Sequence, residues 1–396
     1  MPAPRHAKLS CGANRQVVIS YYPIEQACPV GGAAVRGNEI RKERILMNPV
    51  LGMLVFALGG LAGATFLLPA RGVKGWAYET WWMFYCVVGL LIMPAVICAI
   101  AVPDFWSVAM SAKTSVILQC VGFGAVWGIG GLTWGLMVRY LGIGLGLAIG
   151  CGLCAATGTL IPPVVQGRAA DLVKDSGAVM VLAGVLGSLI GICFVGYAGK
   201  LKENELPEEE KKKAVAEFDF KKGIVVALVS GLCSACMNFG LQSGGSIEKA
   251  AYEAAVGAGI VKAGEPWSWQ GMPVIMIVLW GGFIVQAAWV VQQHFKNRTF
   301  GDYLRNGPIL RNWIFASIVG VIWVMQFVCQ KAGEPLMGDL GYISFAIVMA
   351  STILFSTVIG VATGEWKGTG LKTRLSLALG TLILLTSFTV ISLGSR

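Results

Sequence analysis

Residues 115–161 read SVILQCVGFGAVWGIGGLTWGLMVRYLGIGLGLAIGCGLCAATGTLI, and Arg139 is the only charged residue among the 47. As one helix this run would extend about 70 Å, more than twice the roughly 30 Å hydrocarbon core of a bilayer. It therefore has to turn, and Arg139 stands where two spans of ordinary length meet. The expected element is a tight helical hairpin in which Arg139 marks the polar end, rather than a charge held in lipid. After the turn, Gly142, Gly146 and Gly150 share one helical face and allow close backbone contact. The GIGLG string lacks the preceding strand and soluble setting of a dinucleotide loop.

The rest of the chain has the same character. Of 396 residues, 56% are hydrophobic and 13% charged, against about 25% charged in an average globular protein, and the mean hydropathy is +0.70. A soluble chain of this size needs far more polar surface, so the reading is a multi-pass integral membrane protein with the lipid bilayer as its solvent. Ten apolar runs are long enough to span: 49–68, 81–102, 115–138, 140–161, 178–198, 223–243, 273–291, 309–330, 341–362 and 374–394. They are continuous rather than alternating, which predicts helices and not a barrel.

The most charged segment, KLKENELPEEEKKKAVAEFDFKKG at 199–222, leaves five runs on either side. The expected fold is therefore all-α: ten transmembrane helices arranged as two inverted five-helix repeats, 47–198 and 223–396, joined by a cytoplasmic linker. Repeats with an odd number of helices must have opposite membrane orientation. Trp127 and Trp323 occupy comparable places in the two halves. A short surface helix is expected near 247–256, in the Gly/Ala-rich connection 244–272.

Residues 1–46 hold seven Lys/Arg and no apolar run. They read as a disordered tail, or as a translated leader ahead of a native start at Met47, because Arg41-Lys42-Glu43-Arg44 can be encoded by a purine-rich run resembling a ribosome-binding site. With Met47 as start, 17 Lys/Arg lie in or beside the loops after odd-numbered runs and 7 in the others. The positive-inside rule then puts the odd loops in the cytoplasm and both termini outside. The net charge of +10 belongs to these loops. No basic domain stands apart, so no nucleic-acid partner is expected. The eleven cysteines include two CxxC pairs, Cys151/Cys154 and Cys233/Cys236, read as small packing residues, with no metal or other cofactor.

No expected span contains Asp, Glu, Lys or His at its centre. That argues against a cation pump and against an intramembrane hydrolase, so no enzyme is expected. Polar residues within the spans are amides, hydroxyls and indoles: Gln119, Trp127, Thr133 and Trp134; Ser230, Ser234, Asn238 and Gln242; Trp280 and Gln286; Trp323, Gln326 and Gln330. Amides both donate to and accept from vicinal hydroxyls, and an indole face packs on the C–H face of a sugar ring. Singly, each can serve as an interhelical hydrogen-bond partner. Together they point to a polar central cavity for a neutral polyhydroxylated ligand. Ionisable groups sit at span ends, at Glu79, Asp104, Glu334, Asp339 and Glu365, where solvation is the expectation.

Three segments then resemble one family: GVKGWAYETWWMFYCVVGLLIMPAV (72–96), FGAVWGIGGLTWGLMVRYLGIGLGLAIG (123–150) and FDFKKGIVVALVSGLCSACMNFG (218–240), with WVMQF (323–327) and GEWK (364–367). They are similar to the bacterial L-rhamnose/proton symporters of the drug/metabolite transporter superfamily, densely in 72–150 and sparsely after 244. The resemblance implies proton-coupled uptake of a monosaccharide, L-rhamnose or a related sugar, across the inner membrane by alternating access, in a monomer or homodimer. It makes Glu79 and Glu365 candidate coupling acids, and Trp127, Trp134, Asn238, Gln242, Trp323, Gln326 and Gln330 candidate substrate-binding residues. A metabolite or drug exporter of the same superfamily and a non-transporting membrane sugar sensor are the alternatives.

Overall fold

The computed structural model describes residues 49–165, 173–207, 209, 215, 217–337 and 344–394, all within one unit, Glu43–Arg396. The expected start at Met47, the tail before it and Asp339 lie outside the described residues. The apolar runs form α1 (Pro49–Thr65), α2 (Tyr78–Ala101), α3 (Thr114–Leu141), α4 (Ile143–Val165), α5 (Ser176–Glu205), α6 (Phe220–Ser243), α7 (Met272–Asn297), α8 (Ile309–Met337), α9 (Ser344–Ala362) and α10 (Leu371–Gly394). No strand occurs among the described residues.

Eight of these helices are long and apolar enough to cross a membrane. Helices α4, 23 residues from Ile143 to Val165, and α9, 19 residues from Ser344 to Ala362, are apolar as well. Eight is thus the number of candidate crossings that length and composition mark among the described residues.

The decisive run breaks where its length requires. Gly142 separates α3 from α4 with φ +86°, a left-handed conformation open to glycine at little cost. Two other helices are irregular inside their runs. In α2 the segment Cys86–Ile92 is π-helical just ahead of Pro94. Proline lacks the amide proton and crowds the carbonyl four residues back, and the wider turn relieves both. In α6 the helix is interrupted at Ala235, between Ser234 and Cys236.

Packing runs through small residues. A Cβ at Gly124 of α3 would collide with the Val278 carbonyl of α7, and one at Gly281 with the Val121 carbonyl. Gly89 of α2 and Gly320 of α8 meet in the same way. Without water to expel, such close backbone approach supplies much of the association energy between helices. Helix α3 packs on α6 and α7, α8 on α1 and α2, and α5 on α10; α4 contacts α5, α6 and α9, while α9 contacts α1 and α10.

The expected surface helix is present as Gly245–Gly257, burying Ile247, Ala251 and Ala255. Its Glu248 carboxylate lies 2.7 Å from Lys331 Nζ, which also pairs with Glu334 at 2.9 Å.

Candidate functional site

Trp127 of α3 and Trp323 of α8 stack with ring centroids 6.4 Å apart and planes at 15°. Both are buried, 3% and 5% exposed. Phe327 stands edge-on to each, at 5.9 and 5.5 Å, and Phe66 lies 4.3 Å from Trp323. Glycine makes the room: a side chain at Gly282 would run into the Trp127 ring, and one at Gly63 into the Gln326 carboxamide. Trp323 Nε1 has no hydrogen-bond partner among the described residues.

The aromatic wall continues along α2. Tyr78 stacks on Trp82 at 5.1 Å and 21°, Trp82 meets Tyr85 at 4.7 Å, and Tyr85 reaches Trp323 at 6.4 Å. Trp82 Nε1 donates to Gln286 Oε1 of α7 at 3.0 Å. The other end of that carboxamide, Gln286 Nε2, is buried without a partner, as is the Tyr78 hydroxyl. Both lie against the glycine face of α3, beside Gly131 and Gly135. Indole faces and spare hydrogen-bonding groups thus share the centre of the bundle, an arrangement suited to a ring bearing hydroxyls.

The remaining sequence-selected residues divide. Gln326 and Gln330 are buried on α8. Trp134 is buried on α3, near Gly150 of α4 and away from the stacked pair. Asn238 is half-buried, and Gln242 and Gln119 are exposed. Trp82 was hidden in the aromatic run WAYETWWMFY, where sequence does not distinguish the inward ring.

Of the acids at span ends, Glu79 and Glu365 are buried rather than solvated and Glu334 is half-buried, while Asp104 is exposed as expected. Helices carry Glu79 and Glu334 past the apolar windows, whereas Glu365 lies in the turn that follows α9. Glu365 is 2% exposed and caps α4, accepting from Ile143 N at 2.9 Å and Gly144 N at 3.1 Å. Burial pushes its carboxyl above the ordinary carboxylate value of 4.5, opposed by those two amides and by the charges of Lys202 and Arg71. Glu365 lines a pocket of about 220 Å³ with Arg71, Arg139 and Glu217. Arg139 pairs with Glu217 and lies 5.7 Å over the Tyr78 ring. The fully buried Lys202 places Nζ 4.9 Å from the Trp366 ring and 5.1 Å from that of Phe218.

Glu79 is also buried, 6% exposed. Its Oε1 accepts from Asn297 Nδ2 at 2.9 Å and from the Thr299 hydroxyl at 2.8 Å. Thr299 Oγ1 is 2.8 Å from His294 Nδ1, and His294 Nε2 is 2.7 Å from the Tyr303 hydroxyl. Asp302 accepts from Ala77 N at 2.9 Å and Thr80 Oγ1 at 3.0 Å. His294, one of two histidines in the chain, falls beyond the 273–291 run. Helix α7 extends past it and buries it to 1% exposure.

Long apolar helices around a buried aromatic and amide centre, with acids at one end, define a multi-pass membrane protein of the secondary-transporter class. The chain belongs to the L-rhamnose-proton symport protein family (RhaT), whose sequence model matches residues 46–396. It is 31% identical over 349 residues to the L-rhamnose-proton symporter of Yersinia pestis bv. Antiqua, covering 87% of this chain and 98% of that one. It is 30% identical to the L-rhamnose-proton symporters of Escherichia coli (strain ATCC 8739) and Cronobacter sakazakii, in each case over 87% of this chain and 97% of the relative. No solved structure matches the chain.

Proposed function

We propose that this protein is a proton-coupled symporter that takes up L-rhamnose across the bacterial inner membrane by alternating access. The observation that carries the reading is the Trp127–Trp323 stack at the bundle centre, flanked by the Trp82–Gln286 pair and the spare groups at Gln286 Nε2 and Trp323 Nε1. A deoxysugar offers one apolar ring face and several hydroxyls. Two parallel indoles held at 6.4 Å part to admit such a ring, and the neighbouring amides take its hydroxyls. Family membership and the names of the relatives supply the sugar and the proton.

The architecture belonging to this reading is ten membrane helices in two inverted repeats, with the odd loops cytoplasmic. Packing supports it. Exchanging each of α1–α5 with its counterpart five helices later turns α3–α6 into α8–α1, α4–α6 into α9–α1, α3–α7 into α8–α2, and α4–α5 into α9–α10; all of these pairs are in contact. The α5–α10 and α4–α9 pairs map onto themselves. Trp127 and Trp323 exchange under the same operation, so an internal two-fold axis would pass between the stacked rings. The two bundles could then rock about a fixed central site. Glu79 and Glu365, buried at the end carrying Arg139, are the proposed coupling acids.

Proteoliposomes containing the purified chain test this directly. An inside-alkaline pH gradient is expected to drive accumulation of labelled L-rhamnose. Gradient-independent uptake removes the symport; efflux of an amphipathic solute with no sugar uptake supports the exporter; and sugar binding without translocation supports the sensor.

A further inference from the structure

The hydrogen bonds around Glu79 have a fixed sense. Thr299 donates its hydroxyl proton to Glu79 Oε1 at 2.8 Å. A hydroxyl has one proton, so toward His294 the Thr299 oxygen is the acceptor, and Nδ1 carries the imidazole N–H across the 2.8 Å contact. In the neutral ring the other nitrogen, Nε2, then accepts from the Tyr303 hydroxyl at 2.7 Å. Donor follows donor without a break, from a half-buried phenol at the end of the bundle, through a buried imidazole, to a buried carboxylate. Burial pushes the Tyr303 phenol well up, which keeps it a donor at neutral pH.

We propose that Tyr303, His294 and Thr299 form the route by which the transported proton reaches Glu79, with His294 as the relay group. This rests on the symport reading and assigns the coupling proton a path. A proton from water binds the Tyr303 oxygen as the phenol proton passes to Nε2. The Nδ1 proton passes to Thr299 Oγ1, and the original Thr299 proton passes to Glu79 Oε1. Tyr303 and Thr299 end unchanged, Glu79 becomes a neutral acid, and the ring is left in its Nε2–H form. After Glu79 has released its proton, uptake at Nδ1 with loss from Nε2 restores the starting tautomer.

The groups facing this series are Glu79 and Cys86 from α2, and Asp302 and Tyr303 from the segment after α7. Asp302 is held by Ala77 N and the Thr80 hydroxyl, leaving Glu79 as the acid in line with the ring. The route also joins the elements that hold the central site. Helix α2 carries Glu79 and, one turn on, Trp82; α7 carries His294 and, about two turns earlier, Gln286. Neutralising Glu79 therefore acts on the two helices that the Trp82–Gln286 hydrogen bond ties together.

Two assays on the reconstituted full chain separate the steps: L-rhamnose counterflow, which needs no net proton movement, and accumulation driven by a pH gradient. His294→Gln and Thr299→Val are expected to keep counterflow within about twofold and to lose pH-driven accumulation by roughly a hundredfold, the low end of what a positioned proton-transfer group contributes. Thr299→Ser, which restores the hydroxyl, is expected to recover accumulation. Wild-type accumulation in either of the first two variants overturns the route. So does loss of counterflow together with accumulation, which would make the network structural. A wild-type chain that exchanges sugar but ignores the gradient overturns the symport reading itself, and this is recognised before any substitution is made.

Discussion

Trp127 and Trp323 face each other across the bundle centre, 6.4 Å apart and within 15° of parallel, although 196 positions separate them in the chain. Each ring is held against a partner helix, Trp127 by the clearance at Gly282 and Trp323 by Phe66. If a sugar inserts between them, each indole supplies one face. Trp127→Ala and Trp323→Ala are each expected to remove about 1.5 kcal/mol of ligand contact, raising the half-saturation concentration for L-rhamnose roughly tenfold. Replacement by Phe keeps an aromatic face and is expected to cost less. Equilibrium exchange over a range of sugar concentrations measures both.

Close helix contact is expected to govern stability at particular glycines. Gly124→Ala drives a methyl group into the Val278 carbonyl, and the helices have to separate. The expected loss is about 1–3 kcal/mol. Gly122, two residues away, has nothing within 4 Å of its would-be Cβ, so Gly122→Ala is expected to be neutral or slightly stabilising. Thermal denaturation of the two variants in detergent, followed by size exclusion, compares them with nearly identical chemistry.

A pH dependence follows from Glu365. Its carboxyl is raised above the ordinary value of 4.5, so the folded state binds this proton more tightly than the unfolded chain does. The stability it contributes is fully present below that ordinary value and is lost as pH rises through the raised one. Wild-type melting temperature is expected to fall across that window. Glu365→Gln, which cannot titrate, is expected to flatten this component, as melts over a pH series would record.

At Lys331 the expectation concerns burial of charge. The amine sits between Glu248 and Glu334, and the Ser344 hydroxyl completes the cluster by donating to Glu334 at 2.7 Å. Lys331→Met leaves two carboxylates facing one another and is expected to cost about 3–5 kcal/mol. Adding Glu248→Gln and Glu334→Gln to that variant is expected to recover most of the loss. Chemical or thermal denaturation of the single and triple variants gives the difference.

Much of this architecture is legible in the amino-acid order, for physical reasons. A 47-residue apolar run cannot be one membrane helix, and the break falls at Gly142, three residues after Arg139. Tryptophan in an amide-bearing run stands out against an apolar background, which is why Trp127, Trp323 and Gln326 could be selected. Less legible are features set by where a helix ends. His294 and Lys202 lie beyond their apolar windows, yet α7 and α5 continue through them and packing buries both. A four-residue polar spacing placed Gln242 with Ser230 and Ser234, but α6 is interrupted at Ala235 and Gln242 lies exposed.

The most direct measurement of the central claim is the proton movement that sugar itself causes. L-rhamnose is added to lightly buffered proteoliposomes with no imposed gradient, and external pH is followed. Downhill sugar entry through a symporter carries protons inward, so a rhamnose-dependent alkalinisation of the medium is expected, strongly reduced in a Trp127→Ala/Trp323→Ala double variant at the same sugar concentration. Rhamnose entry without any change in external pH would contradict the account.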